Sequence, residues 1–294
     1  MRAERVKQVF KNAVYRTIGE AANVALEDDR RTLSVLMYHK VNGTPENPVT
    51  VPPARFAEQM QFLADNGYRV VSLDDVLGHY RDGRPLPPRA VLITFDDGYR
   101  DNLENALPIL ERHGYPAVMF VPLGFVGEPL PLPHELHLLP QGIRNPTLGW
   151  DGLRELEQRG VRIESHGISH RPLADLEVDE AAREIAISKL HLEERLGRHV
   201  RAFAYVKGSE AHFKPVHVSL LRQAGYELGF TSVSGGNWSS TDRFVLHRYN
   251  VEPYSLRTFE LVLRGACDLV ALKDTVAGTH ARRVLNAALG TSTR

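Results

Sequence analysis

The chain has 294 residues, with 36 Lys and Arg balanced by 36 Asp and Glu, 43% apolar and 24% charged residues. These are the proportions of a globular protein with a full core, which excludes a disordered, collagen-like or low-complexity chain. A formal net charge of +0 gives no general attraction for polyphosphate, so nucleic acid is not an expected partner, and the single Cys267 allows neither an intrachain disulfide nor a cysteine-built metal site.

The N-terminal stretch MRAERVKQVFKNAVYRTIGEAANVAL is broken by charged or polar residues every few positions, unlike a secretory signal. No later segment has the roughly 18 apolar residues of a membrane span, so a cytoplasmic location is the expectation. The same stretch sets Val6, Val9, Phe10, Ala13, Val14 and Ile18 at helical spacing, with Arg2, Arg5, Lys7, Lys11 and Arg16 among the polar positions. A basic amphipathic helix of this kind either docks its apolar stripe on the main domain or makes peripheral contact with an anionic membrane through residues 1–20.

From residue 33, short β-branched runs alternate with longer periodic segments, the pattern of βα units. The runs are LSVLMY (33–38), YRVVS (68–72), AVLITF (90–95), PAVMFV (116–121), VRIES (161–165), RAFAY (201–205), YELGF (226–230) and RFVLH (243–247). Helices are predicted over 53–66, 73–81, 101–113, 150–159, 179–197, 212–224 and 255–264. Near-continuous apolar strands imply a parallel sheet covered on both faces, and seven or eight units point to a barrel. The Pro- and Gly-rich stretch 124–149 is too long for an ordinary connection and reads as a functional loop over one end of that barrel. The expected organisation is an N-terminal helix and linker (1–32), the barrel (33–265) and a C-terminal helical extension (266–294).

Three places carry chemistry. In TFDDGYRDN (94–102) a strand delivers Asp96 and Asp97 at its C-terminal end, the catalytic end of a β/α barrel, and Gly98 turns the chain sharply. In ESHGISHRPL (164–173) His166 and His170 follow another strand end, at a spacing that lets both rings share a cation on one side of a helical turn. With Asp97 they form a two-His, one-carboxylate set that leaves coordination positions for water and substrate, as hydrolysis requires. In LMYHKV (36–41) His39 leaves the first strand of the domain, placed to donate a proton near neutral pH.

Together MYHKV, FAEQMQFLADNGYRVVSLDDV, TFDDGYRDNLENALPILERHGYPAVMFV and SHGISHRPL resemble a NodB-homology polysaccharide deacetylase of carbohydrate esterase family 4. They are most similar to the circularly permuted branch whose catalytic His lies in an N-terminal Tyr-His motif, and the resemblance spans roughly residues 33–255. It implies a distorted (β/α)7 barrel and metal-dependent hydrolysis of an N-acetyl group on a saccharide to a free amine and acetate. Carried over by position, Asp96 matches the general base, His39 the general acid, and Asp97, His166 and His170 the ligands of one divalent metal ion. Zn²⁺ fits that set best, with Co²⁺, Ni²⁺, Mn²⁺ and Fe²⁺ compatible.

The sequence departs from the family in FAYVKG (203–208), where Ala204 stands at the position of an Arg and Val206 at that of a loop Pro. Arg201 lies three residues away along a strand and faces the other side, so Arg248 of FVLHRYNV is the residue expected to support Asp96. Tyr205, Arg248 and Trp238 are the candidate substrate contacts, with Trp238 suited to stacking on a sugar ring. His134 and His137 of PHELH read as lid or substrate contacts, Lys207 as a solvated lysine or a contact for an anionic substituent, and Lys40 and Asn237 as residues near the mouth. The expected partner is an N-acetylated saccharide. The alternatives are an amidase of the same fold acting on a non-sugar amide or cyclic imide, and a catalytically silent glycan-binding homologue.

Overall fold

The computed structural model describes residues 32–44, 49–128, 131–266 and 268. The basic helix expected over residues 1–20 and most of the C-terminal extension lie outside the described residues. In chain order the elements are β1 (Ser34–Tyr38), α1 (Pro53–Asp65), β2 (Arg69–Val70), α2 (Leu73–Asp82), β3 (Ala90–Asp96), α3 (Leu107–His113), β4 (Ala117–Val121) and α4 (Trp150–Gln158). They continue with β5 (Val161–Ser165), α5 (Val178–Leu196), β6 (Ala202–Ala204), α6 (Pro215–Gln223), β7 (Leu228–Phe230), β8 (Tyr249–Asn250) and α7 (Leu256–Leu263).

The sheet order is β7-β6-β5-β4-β3-β1-β8, and the strand pairings are parallel. The segment that carries β8 meets β1 through Leu36↔Tyr249 and β7 through an isolated parallel bridge, Phe230↔Leu246. The sheet thereby curls into the distorted barrel expected, with seven staves. β2 is not a stave. It pairs only with the foot of β3, because Ser72 at once caps α2, its side chain and that of Asp75 closing a reciprocal capping box. The expected run 243–247 is likewise delayed: Asp242 accepts from the backbone N–H groups of Phe244 and Val245 in a turn, so the ladder with β1 forms only at β8.

The helix expected over 101–113 opens as a wide π turn, Asn102–Ala106, before α3. Pro108 has no N–H to offer the preceding turn, which loosens the ladder just where the Asp96-Asp97 turn feeds in.

Alternation along the strands sorts the core into two sets. Val91, Ile93 and Phe95 face outward against Phe56, Met60 and Leu63 of α1, whereas Leu92 joins Val35, Val118, Phe120, Ala202, Leu228 and Phe230 inside. Leu73, Val76 and Leu77 of α2 join the inner set and close the foot of the barrel. Asp96 has the parity of Leu92, so it points inward at the C-terminal rim, where the barrel stops being apolar. Among the described residues no helix is long and apolar enough to cross a membrane.

Candidate active site

Asp96 ends β3 and Asp97 follows it in the left-handed region at φ 75°, as does Gly98 at φ 70°. Two successive left-handed residues reverse the chain abruptly and send the adjacent carboxylates in different directions. A non-Gly residue is strained there, and such strain collects at functional sites. A Cβ at residue 98 would also press on the Val121 side chain at 3.1 Å, which together with its positive φ favours glycine there.

The turn after β5 is not the helical one that the His-x3-His spacing suggests. Gly167 at φ 77° and His170 at φ 55° fold it back instead. The Glu184 carboxylate on α5 accepts from the backbone N–H groups of Ile168 (2.6 Å) and Ser169 (3.0 Å) and fixes this turn. His166 and His170 still converge, with ring centroids 5.3 Å apart. His166 Nδ1 lies 2.7 Å from the Ala204 carbonyl, so it carries the proton there and leaves Nε2 as a free lone pair facing the site.

Ligand atoms of Asp97, His166 and His170 all lie within 4.8 Å of one another. His170 Nε2 is 2.9 Å from Asp97 Oδ1 and His166 Nε2 is 3.7 Å from it, yet this buried oxygen has no hydrogen-bond partner. An orphaned carboxylate oxygen facing two imidazole nitrogens suits a shared cation, because a buried acceptor otherwise needs a donor. Burial would raise the Asp97 carboxyl, but the neighbouring imidazoles, His170 first, hold it well below the usual carboxylate range. Burial pushes His166 down to about 4, so it is neutral and free to bind a metal at physiological pH.

Arg248 comes from the residue just before β8, two strands along the sheet from β3. Its guanidinium lies inside the barrel over the Phe120 ring and makes a two-pronged pair with Asp96, Nη1 to Oδ1 at 2.7 Å and Nη2 to Oδ2 at 2.8 Å. Nε donates to the Thr231 carbonyl at 2.7 Å, and Nη1 also reaches Thr94 Oγ1 at 3.3 Å. Burial alone would raise the Asp96 carboxyl; Arg248, with His166, outweighs it and holds the group below its ordinary value. His39 follows β1 at the same rim, with its carbonyl accepting from Asn102 Nδ2 at 2.9 Å and its buried Nδ1 without a hydrogen-bond partner. Burial lowers its pKa, against the opposing pull of Asp97 and Asp96.

Three substrate contacts expected from the sequence are not at the groove. Arg248 is fully buried and its donors are committed to Asp96, Thr231 and Thr94, so it serves the site from beneath. Tyr205 is buried too, its hydroxyl donating to the Phe244 carbonyl and its ring stacked on Phe213. Trp238 is 41% exposed but belongs to the opposite end of the barrel, since neighbouring Asn237 bridges Leu33 at the foot of β1. The six residues to His39 put roughly 20 Å between the two ends. Asn237 is therefore not near the mouth, Lys207 is exposed, and buried Lys40 is ion-paired with Glu135.

Sequence reasoning missed Glu184, Asn102 and Tyr99. Each acts through a fold contact that no local spacing announces. Tyr99 is a buried, neutral phenol, its pKa raised by burial, and its hydroxyl lies 3.1 Å from His134 Nε2.

Comparison with known proteins adds four findings. A family profile described as polysaccharide deacetylase matches residues 83–229. YxkH of Bacillus subtilis (strain 168), which carries a polysaccharide deacetylase name, is 28% identical over 221 residues, 75% of this chain and 72% of that protein. The poly-beta-1,6-N-acetyl-D-glucosamine N-deacetylase of Escherichia coli (strain K12) is 40% identical over 91 residues, but the match spans 30% of this chain and 13% of that protein. Among solved structures, IcaB from Ammonifex degensii superposes with a TM-score of 0.67 at 25% identity, over 81% of this chain and 97% of that one.

Proposed function

The chain belongs to the polysaccharide deacetylase family, a class of hydrolases of N-acetyl carbon–nitrogen bonds, and from that premise we propose that it deacetylates an N-acetylated amino-sugar glycan of the N-acetylglucosamine type. The observation that carries the proposal is the convergence of Asp97, His166 and His170 beside an Asp96 that Arg248 keeps ionised.

The three residues would hold one divalent cation, and Zn²⁺ suits two imidazoles and a carboxylate best, with Co²⁺, Ni²⁺, Mn²⁺ and Fe²⁺ as alternatives. Held there, the ion would supply Lewis-acid polarisation of the acetamide carbonyl and a lowered pKa for water at the site. Asp96 accepts the proton of the attacking water, since Arg248 leaves it ionised but draws both oxygens into one fixed plane. His39 supplies a proton to the departing amine nitrogen, a step that one carboxylate cannot perform while acting as base. The N-terminal residues 1–20 bring the enzyme to an anionic membrane surface, where a lipid-linked or intracellular glycan precursor is the matching substrate.

Acetate release is the direct test, measured on metal-analysed protein with β-1,6-linked N-acetylglucosamine oligomers, other N-acetylated sugars, simple amides and a cyclic imide. Turnover of the sugars supports the proposal. Turnover of the simple amides or the imide alone would favour the amidase reading, and metal-loaded protein inert to every substrate would favour the silent homologue.

A further inference from the structure

The loop over the mouth is wired to the Asp96-Asp97 turn rather than laid across it. Leu148 N–H donates to the Gly98 carbonyl at 2.8 Å, Arg100 N–H donates to the Pro146 carbonyl at 2.9 Å, and Tyr99 bridges Thr147. Farther out, Glu135 forms an ion pair with Lys40 in which both side chains are buried, and Asn145 Nδ2 donates to the same carboxylate at 3.1 Å. An ion pair this dry is held only where its geometry is fixed, so it anchors residues 133–145 to the exit of β1. The residue before Glu135 is His134. Its ring sits 5.3 Å from that of His170, and its Nε2 is 3.1 Å from the Tyr99 hydroxyl and 3.8 Å from Asp97 Oδ2.

We propose that His134, held by the Tyr99 hydroxyl, is a positioning residue for the metal-binding carboxylate of Asp97, so that cation retention depends on the loop that carries it. With its proton on Nε2, His134 presents an N–H to the Tyr99 oxygen at 3.1 Å and to Asp97 Oδ2 at 3.8 Å, and this donor keeps Oδ2 on the loop side while Oδ1 faces His166 and His170. The loop is thereby part of the metal centre, although none of its residues belongs to the three-ligand set. The inference rests on Asp97, His166 and His170 being the ligands, and the test separates the two.

Co²⁺ is titrated into metal-free protein, read by the visible spectrum of the bound ion and by competition with a chelator. Wild-type protein that binds no Co²⁺ would overturn the ligand set itself. His134→Ala and Tyr99→Phe are expected to weaken Co²⁺ binding about 10- to 100-fold, the usual effect of removing a group that orients a metal ligand. The double variant should lose no more than His134→Ala alone, because Tyr99 acts by holding His134. His134→Gln, whose amide can donate from about the Nε2 position, should restore most of the affinity. Leu136→Ala, on the same loop at an exposed position (49%), should leave it unchanged. Wild-type affinity in His134→Ala, or His134→Gln failing as badly as His134→Ala, would overturn the inference.

Discussion

Replacing Arg248 by methionine removes the one cation that neutralises Asp96 inside the barrel while keeping the volume roughly filled. The pair is short and two-pronged, at 2.7 and 2.8 Å, and both partners are buried. At an effective dielectric of about 20, two unit charges at this separation attract by about 6 kcal/mol before the cost of desolvation. Removing one member of such a pair typically costs about 3–5 kcal/mol, because a carboxylate is left buried and alone and the Thr231 carbonyl loses its donor. That is a large share of the roughly 5–15 kcal/mol that holds a domain together.

The pH dependence of the loss identifies its cause. In the wild type Asp96 is held below its unfolded value, so its contribution to stability is present above that value and fades only as pH falls through the depressed one. In the variant, burial outweighs the remaining pull of His166 and His39 and raises the carboxyl, so stability falls as pH rises through the raised value. Urea unfolding of the metal-free proteins should therefore show a larger deficit for Arg248→Met at pH 8 than at pH 5. Arg248→Lys, which keeps the charge but not the fork, should fall between the two. A deficit under about 1 kcal/mol, or one that does not change with pH, would refute the reasoning, since an isolated buried carboxylate has no other way to be tolerated.

Four further outcomes follow from the same geometry. Asp96→Asn and His39→Ala should each retain metal and fold but lose about 10²-fold or more in kcat, the scale of an acid–base group, in steady-state acetate release. His170→Ala should lose stoichiometric metal by elemental analysis, because its Nε2 is the imidazole nitrogen nearest Asp97 Oδ1, at 2.9 Å. Glu164, at the end of β5, accepts from the N–H groups of Arg201 and Ala202 and is pushed by burial from 4.5 up to about 7. A raised carboxyl favours the folded state below its unfolded value, so wild-type stability should decline between pH 4.5 and 7 by up to about 3 kcal/mol relative to Glu164→Gln, measured by chemical unfolding. A protein lacking residues 1–20 should sediment less with anionic vesicles than the full chain, and equal sedimentation would favour docking of that helix on the main domain.

The strands and their ends were legible because apolar alternation reports burial directly. Leu92 and Val91 take opposite faces from their positions in the run, and that parity by itself sends Asp96 inward. The family likeness was also legible, since MYHKV, TFDDGYRDN and SHGISHRPL keep side-chain types and spacings that a turn at a strand end requires. The Asp96 partner was readable only by elimination: with Ala204 at the usual position, the cation had to come from elsewhere, and the structure pairs Asp96 with Arg248. Residues 152 positions apart in the chain have no local signal for each other.

Tyr205 and Trp238 show the limit of reading chemistry from residue type. An aromatic beside polar residues suits a sugar groove and suits packing equally well, and only closure of the barrel buries Tyr205 under Phe244 and leaves Trp238 at the foot of β1. Glu184, Tyr99 and His134 are further cases, reaching the site from α5, the turn after β3 and the mouth loop. By itself the sequence determined which residues face inward and which strand ends carry carboxylates and imidazoles, because side-chain alternation and turn chemistry are local. Only the tertiary structure decided which of those groups meet, because that depends on how the sheet curls and on which long-range partners satisfy each buried charge.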